Sequence, residues 1–464
     1  MQNAGLSQAA MDAFKHNYEQ LVGGVSGLVP EADITPVAEL PHLDTLHQEV
    51  AHEKGSSAQD MSQLLHKTAV LKLNGGLGTS MGLEKAKSLL KVKADKTFLD
   101  LIADQVKYMR TSYGSNVRFI LMNSFSTSKD TRDFLQRSHP DLLKEPDIEL
   151  MQNSSCKVDA STLKPAEYPA NPSMEWAPPG HGDIYPSLVG SGMLERLLSE
   201  GVKYLFVSNS DNLGATLDLD ILAYFAASDK SFLMEVCERT AGDKKGGHLA
   251  QRKSDGRLIL RESAMCPDED KPSFEDISRH KFFNTNNLWL NLSKLKDTLE
   301  SSGGILRLPL IKNKKTVNPR DKKSTPVFQL ETAMGSAIEC FDDAGAIVVP
   351  RSRFAPVKTC SDLFALRSDA YRVTEKSTVE LVAASPPLVK LDDAHYKLVD
   401  DMEALTPRVP SLVGCRSLTV KGAIRFESGV SCQGDVTLIN DGEEVVTARS
   451  RTFADTTVNV REVM

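Results

Sequence analysis

Four glycines within eight residues, Gly75, Gly76, Gly78 and Gly82, with Lys85 and Lys87 just behind them, are suited to meeting phosphate. They follow an apolar run, Ala69-Val70-Leu71-Lys72-Leu73, and Asn74. A strand running into such a turn lets main-chain N–H groups approach phosphate oxygens where any Cβ would obstruct them. Two commoner motifs are excluded. Gly76-x-Gly78-x-x-x-Gly82 is one residue longer than the dinucleotide fingerprint, and no Gly-Lys-Ser/Thr follows as a P-loop requires. A structural glycine turn is the alternative, since clustered glycine is also ordinary loop chemistry.

A second candidate follows another apolar run, Tyr204-Leu205-Phe206-Val207, which leads into Ser208-Asn209-Ser210-Asp211-Asn212. Ligands of open α/β sheets bind beyond the carboxyl ends of the strands, so Asp211 is placed to meet a substrate or a metal. One carboxylate is enough for Mg²⁺ beside a nucleotide, because that ion keeps several waters and takes its other ligands from substrate phosphates. In isolation, a turn or helix N-cap aspartate is the commoner role for such a residue. Pro178-Pro179-Gly180-His181-Gly182-Asp183 offers a glycine-flanked histidine able to donate to a phosphate or sugar oxygen. Phe283-Asn284-Thr285-Asn286-Asn287 clusters amides that can serve sugar hydroxyls or simply form a turn. Lys358 ends a proline-stiffened basic stretch, Arg351-Ser352-Arg353-Phe354-Ala355-Pro356-Val357-Lys358, where a solvated lysine is the default. Residues 307–323 carry seven cations with Asp321 the only acid, either a phosphate-attracting loop or a solvated charge run.

Positioning these residues takes strands that alternate with helices. Apolar runs over 117–122, 204–207 and 232–236 read as strands, and 98–109 and 187–198 as helices, so βαβ units and a mainly parallel sheet covered on both faces are expected. Ahead of them, Ser7 precedes a helix over 8–21, which Gly23-Gly24 and the prolines at 30, 36 and 41 interrupt. A second helix ends near Lys54, before a loop at Gly55-Ser56-Ser57. The first 66 residues read as an appendage holding nine acids against two lysines, a net −7 equal to that of the whole chain.

The full chain of 464 residues is 41% hydrophobic and 25% charged, which excludes disorder, collagen and coiled coil. Its acidic total argues against nucleic-acid binding. No uncharged apolar run spans a bilayer, and the first twenty residues lack the basic start and apolar core of a secretory signal, so no membrane partner and a cytoplasmic location are expected. The seven cysteines show no C-x-x-C pair and no zinc spacing, and read as reduced thiols.

Between 411 and 440 a six-residue period sets Leu412, Leu418, Ile424, Val430 and Val436 in one column and Gly414, Val420, Phe426, Cys432 and Leu438 in another. A period of six fits the coils of a parallel β-helix, each burying its column against the next, with an antiparallel meander as the alternative. The chain thus divides into 1–66, 67–383 and 384–464, the last beginning at the linker Ala384-Ser385-Pro386-Pro387.

Taken in order from about residue 68 to 363, the motifs resemble those of the eukaryotic UTP–glucose-1-phosphate uridylyltransferases, also called UDP-glucose pyrophosphorylases. The resemblance implies an α/β fold. Its parts would be a glycosyltransferase-A-like nucleotidyltransferase domain with a mainly parallel mixed sheet, a helical N-terminal segment and a C-terminal left-handed parallel β-helix. It implies that Leu73, Asn74, Gly75 and Gly76 bind the uracil nucleotide, that Lys87, directly before Ser88, faces the phosphates, and that Gln152 reads uracil. Gly180 and His181 match nucleotide and sugar-phosphate contacts, and Asn209, Ser210 and Asp211 match the stretch that contacts sugar and binds Mg²⁺ near the nucleotide. Glu262 and Asn284 resemble residues that hold the glucose hydroxyls, and Lys358 resembles a catalytic lysine that also meets the nucleotide. Residues after about Asp441 match no family ending, and oligomeric state is left open.

The implied reaction is reversible and Mg²⁺-dependent: a phosphate oxygen of glucose 1-phosphate attacks the α-phosphorus of UTP in line, pyrophosphate leaves, and UDP-glucose forms. Because the nucleophile is already ionised, alignment and charge neutralisation by Lys87, Lys358 and Mg²⁺ on Asp211 replace a general base. UDP-N-acetylhexosamine pyrophosphorylase, which shares the L-N-G-G-L-G-T start, and a broad-specificity UDP-sugar pyrophosphorylase are the near alternatives. A non-catalytic nucleotide-sugar-binding protein is the alternative of another class. Gly180-His181-Gly182-Asp183 favours the glucose enzyme, and retention of Lys87, Asp211 and Lys358 together favours catalysis.

Overall fold

The computed structural model describes residues 1–46 and 58–463. The apolar run before the glycines forms strand Thr68–Leu73, buried nearly throughout, as a central parallel strand must be. It pairs in parallel with Tyr204–Asn209 on one side and Arg118–Asn123 on the other, and Arg118–Asn123 pairs in parallel with Glu149–Met151. All four strands therefore end on one edge, at Leu73, Asn209, Asn123 and Met151.

The other half of this ten-stranded sheet departs from the mainly parallel expectation. Phe282–Asn291 runs antiparallel to both Tyr204–Asn209 and Phe232–Glu238, and His248–Arg252 runs antiparallel to Leu258–Arg261. The sheet is mixed. Its amide run, 283–287, lies in a strand and not in a turn, with Thr285 and Asn286 bulging opposite the Glu235/Val236 step and Asn286 at φ 61°. Polar residues are tolerated in this buried strand because they are paired. Asn287 Nδ2 and Trp289 Nε1 both donate to the fully buried Glu235 carboxylate, at 3.0 and 2.9 Å.

Helix Phe98–Tyr113 starts on a Thr97/Asp100 capping box and buries Phe98, Leu101, Ile102 and Val106 against the sheet. The single helix expected over 187–198 is two, Ile184–Gly190 and Met193–Ser199, because Gly192 between them takes φ 72° and cannot continue a right-handed turn.

The N-terminal segment is stitched to the sheet instead of appended to it. Helix Gln8–Val22, capped by Ser7, packs Leu21 against Val158, Leu310 and Leu330. Ile34–Pro36 then pairs with His248–Arg252 as an edge strand, a position that tolerates proline. Part of the excess acid is used here, since Glu31 pairs with buried Arg261 at 2.7 Å and with Arg279 at 2.6 Å. The expected second-helix end near Lys54 and the loop at 55–57 lie outside the described residues.

Beyond the 384–387 loop, Leu388–Lys390, Ser411–Lys421, Ser431–Ile439 and Thr452–Asn459 stack in parallel, and Ile424–Phe426 pairs in parallel with Val446–Ala448. An antiparallel meander is thereby ruled out. Leu418 pairs with Val436, three six-residue steps along, so residues of one column meet side by side in neighbouring strands. The first column is buried throughout; in the second, Val420, Phe426, Cys432 and Leu438 are buried while Gly414 is exposed. The unmatched residues after Asp441 extend the same stack and finish in helix Val460–Val463. Phe426 meets Phe364 edge-on at 5.8 Å, and the apolar core runs unbroken from the sheet into this strand stack. All seven cysteines are free thiols. Among the described residues no helix is long and apolar enough to cross a membrane.

Candidate active site

At the shared edge of the four parallel strands lies a cleft of about 510 Å³. Its walls are knitted by main-chain N–H groups crossing between strand ends: Asn74 to Met122 O (2.7 Å), Gln152 to Asn123 O (2.7 Å) and Ser210 to Leu73 O (3.1 Å). Three loops distant in sequence are thus held at one depth. Leu73, Gly75, Gly76, Lys87, Gln152, Gly180, His181, Asn209, Ser210 and Asp211 all line it. A Cβ at Gly75 would lie 3.0 Å from Gln152 Oε1, so the turn and the glutamine touch only because that residue is glycine. Gly180 is constrained further, with φ 80° and the Thr332 carbonyl oxygen 2.5 Å from where a Cβ would stand.

Opposite charges meet in the cleft. Lys87, held by its N–H to Gly76 O at 3.0 Å, reaches across so that Nζ is 2.7 Å from Asp211 Oδ2. Asp211 Oδ1 is buried and has no partner. A carboxylate oxygen with free lone pairs at such a place suits a hard cation. Among the described residues no three His, Cys, Asp or Glu side chains gather into a metal cage, so the remaining ligands would come from substrate and water. His181 Nδ1 accepts from the Met334 N–H at 2.9 Å, which puts the ring proton on Nε2 as a donor. Burial pulls this imidazole down to about 4, so it works neutral. Gln152 Nε2 donates to Gly180 O at 3.0 Å, joining the two glycine loops.

A family profile described as UTP–glucose-1-phosphate uridylyltransferase matches residues 11–433. The chain belongs to this family. A curated UTP–glucose-1-phosphate uridylyltransferase from Saccharomyces cerevisiae is 42% identical over 385 residues, spanning 82% of this chain and 76% of that protein. One from Solanum tuberosum is 40% identical over 397 residues, spanning 82% and 78%. Among solved structures, a point mutant of UDP-glucose pyrophosphorylase from Leishmania major, in complex with UDP-glucose, superposes with a TM-score of 0.91 at 47% identity, covering 98% of this chain and 97% of that one. A UDP-glucose phosphorylase from Trypanosoma brucei gives 0.88 at 48%, covering 99% and 97%. The α/β fold with its mixed sheet is therefore that of UDP-glucose pyrophosphorylases.

Four of the residues expected in a uridylyltransferase site lie off the cleft wall. Asn74 turns inward, its Nδ2 donating to Asn123 Oδ1 (2.7 Å) and Thr131 Oγ1 (3.0 Å), so its side chain braces the turn. Glu262 and Asn284 form a separate cluster around Gly247: Asn284 N–H reaches Gly247 O at 3.3 Å, and a Cβ on Gly247 would lie 2.5 Å from Glu262 Oε2. Burial raises the Glu262 carboxyl while the positive charge of Lys358 opposes that shift. Met334-Gly335 links this cluster to the cleft, since Met334 donates to His181 and a Cβ on Gly335 would lie 3.2 Å from Asn284 Nδ2. Lys358 is exposed, with Nζ 5.8 Å from the centre of the Phe354 ring. Its neighbour Val357 donates N–H to Asp211 O at 3.1 Å, which brings the lysine to the Asp211 side of the mouth.

Sequence reasoning missed Ser124, Phe125 and Ser126, which line the cleft beside Gly75. The signal was available, for they follow the 117–122 apolar run as Asp211 follows 204–207. Residues 307–323 take the other reading. They build the half-exposed strand Ile311–Thr316 of a hairpin, none of them lining the cleft, while Lys85 is exposed and also absent from the wall.

Proposed function

We propose that this chain catalyses reversible, Mg²⁺-dependent uridylyl transfer from UTP to glucose 1-phosphate, yielding UDP-glucose and pyrophosphate. The observation that carries this is the Lys87–Asp211 pair, a cation for phosphate and a carboxylate with a free buried oxygen for metal, on the strand edge lined by Gly75, Gly76 and His181. Leu73, Gly75, Gly76, Gln152 and Gly180 receive the uridine, with Asn74 bracing the turn. Lys87 neutralises the triphosphate. Asn209, Ser210 and the Nε2–H of His181 hold the sugar phosphate, and Glu262 and Asn284, beyond Met334-Gly335, hold glucose hydroxyls. Lys358 approaches from the mouth and offsets charge on the reacting phosphates. Mg²⁺ on Asp211 would supply charge neutralisation between phosphates. Since glucose 1-phosphate arrives ionised, the side chains act by alignment and electrostatics, and no proton needs removing from the nucleophile.

The same reading takes 67–383 as a glycosyltransferase-A-like nucleotidyltransferase domain, preceded by the helical segment 1–66. It takes 384–464 as a left-handed β-helix, a reading supported by the six-residue columns and the parallel pairing. Pyrophosphate release from UTP tests the reaction, with glucose 1-phosphate, N-acetylglucosamine 1-phosphate and galactose 1-phosphate run in parallel and EDTA as control. Rapid, EDTA-sensitive release with glucose 1-phosphate alone is expected. Comparable rates with all three would make the enzyme a broad UDP-sugar pyrophosphorylase. No release from protein that still binds UDP-glucose would make it a binding protein.

A further inference from the structure

Asn212 follows Asp211 and is 1% exposed. Its Oδ1 accepts the N–H of Ala355 at 3.0 Å and of Gly214 at 3.2 Å, and its Nδ2 donates to Arg353 O at 3.1 Å. The main chain continues the clasp, as Asn212 forms an antiparallel bridge with Pro356 and Val357 N–H donates to Asp211 O. One carboxamide thus ties the loop that ends in Lys358 to the Asp211 side of the mouth. The loop is anchored from behind. Arg353 places Nε and Nη2 on the two oxygens of Glu235 at 2.8 and 2.7 Å, and Glu235, fully buried, takes further donors from Asn287 and Trp289. Arg353 also donates from Nη2 to Thr216 O at 3.0 Å. The anchoring side chains of Asn212, Arg353 and Glu235 are all buried, so the Lys358 loop has one seat.

We propose that Asn212 is a positioning residue that sets the separation of Lys358 from Asp211, acting through the 353–357 backbone without touching substrate. This rests on the roles proposed above for Lys358 and Asp211. Charge stabilisation of a transition state falls steeply with misplacement, so releasing the clasp should be felt in kcat and hardly in UTP binding.

The test is a double-mutant cycle on full-length protein, with Asn212→Ala, Lys358→Ala and the pair assayed for UDP-glucose formation at saturating substrates, and thermal melting as a check on folding. Asn212→Ala alone is expected to lower kcat about 10- to 100-fold while KM for UTP changes less than about threefold. In the Lys358→Ala background the same substitution should cost less than about threefold more, because its effect runs through the lysine. Independent, multiplying losses would overturn the proposal. Should Asn212→Ala fail to fold, Asn212→Ser, smaller yet still able to bond locally, completes the cycle with the same expectation. If Lys358→Ala alone leaves kcat intact, it is the catalytic reading of Lys358 that fails, a result distinct from additivity.

Discussion

Lys87 Nζ and Asp211 Oδ2 meet 2.7 Å apart across the cleft, each only partly exposed, although 124 residues separate them in the chain. The two charges neutralise each other. On the proposed roles, nucleotide would draw Lys87 to phosphate and Asp211 would be left to hold a metal, so the two side chains should fail differently when removed. Lys87→Met is expected to raise KM for UTP about tenfold or more and to lower kcat as well. Asp211→Asn is expected to lower kcat about 100-fold and to raise the Mg²⁺ concentration that gives half-maximal rate. Steady-state kinetics across a Mg²⁺ titration check both, and an unchanged Mg²⁺ dependence in Asp211→Asn would remove the metal role.

His181 is expected to act as a neutral donor at every working pH. Burial holds its imidazole near 4, and Met334 occupies Nδ1 with an N–H. The ratio of kcat/KM for glucose 1-phosphate between wild type and His181→Ala should be about tenfold and flat from about pH 5.5 to 8, since that quantity reports the free enzyme. An inflection in the ratio near the ordinary histidine value, about 6.5, would show an ionising residue instead.

Much of this site was legible in sequence because strand ends in a parallel sheet are marked by apolar runs that stop abruptly. Leu73, Asn209 and Asp211 were found that way, and Ser124 and Phe125 were findable by the same rule. The antiparallel half was not legible. Asn284, Asn286 and Asn287 carry turn chemistry, and only the pairing with strand Phe232–Glu238, whose buried Glu235 takes the Asn287 amide, makes them strand residues. Ile34–Pro36 was hidden for a similar reason, its proline being compatible with an edge strand only once the neighbouring strand is known. Inward turning of Asn74 depends on Asn123 and Thr131, which no local pattern connects to it.

Asp183, under the His181 turn, is a second titrating group with a readable consequence. Asn153 N–H and Ser187 Oγ donate to it at 2.7 and 2.8 Å, yet burial outweighs them and pushes the carboxyl up from 3.8 to about 6. Between those values the folded chain binds more protons than the unfolded one, so stability falls as pH rises through that window. Asp183→Asn keeps an acceptor and removes the charge. Its Tm relative to wild type should therefore be about 2 °C more favourable at about pH 7.5 than at about pH 4.5. An equal shift at both would contradict the buried charge.

Phe426 tests whether the C-terminal strand stack and the sheet share one core. It is fully buried and meets Phe364 of helix Cys360–Arg367, which begins just after Lys358. Phe426→Ala should destabilise by about 3–5 kcal/mol and lower the midpoint of the main unfolding transition in urea. Loss confined to a separate, earlier transition would show that the strand stack unfolds on its own.

The central claim is a single in-line displacement at the α-phosphorus of UTP, carried by alignment and charge with no covalent enzyme intermediate. The stereochemical course with a single epimer of UTPαS and glucose 1-phosphate measures this directly, because each displacement inverts the phosphorus once. Inversion in the UDPαS-glucose product is the predicted result. Retention would mean two displacements through a nucleophile on the protein, and would contradict a site built from Lys87, Asp211 and Lys358.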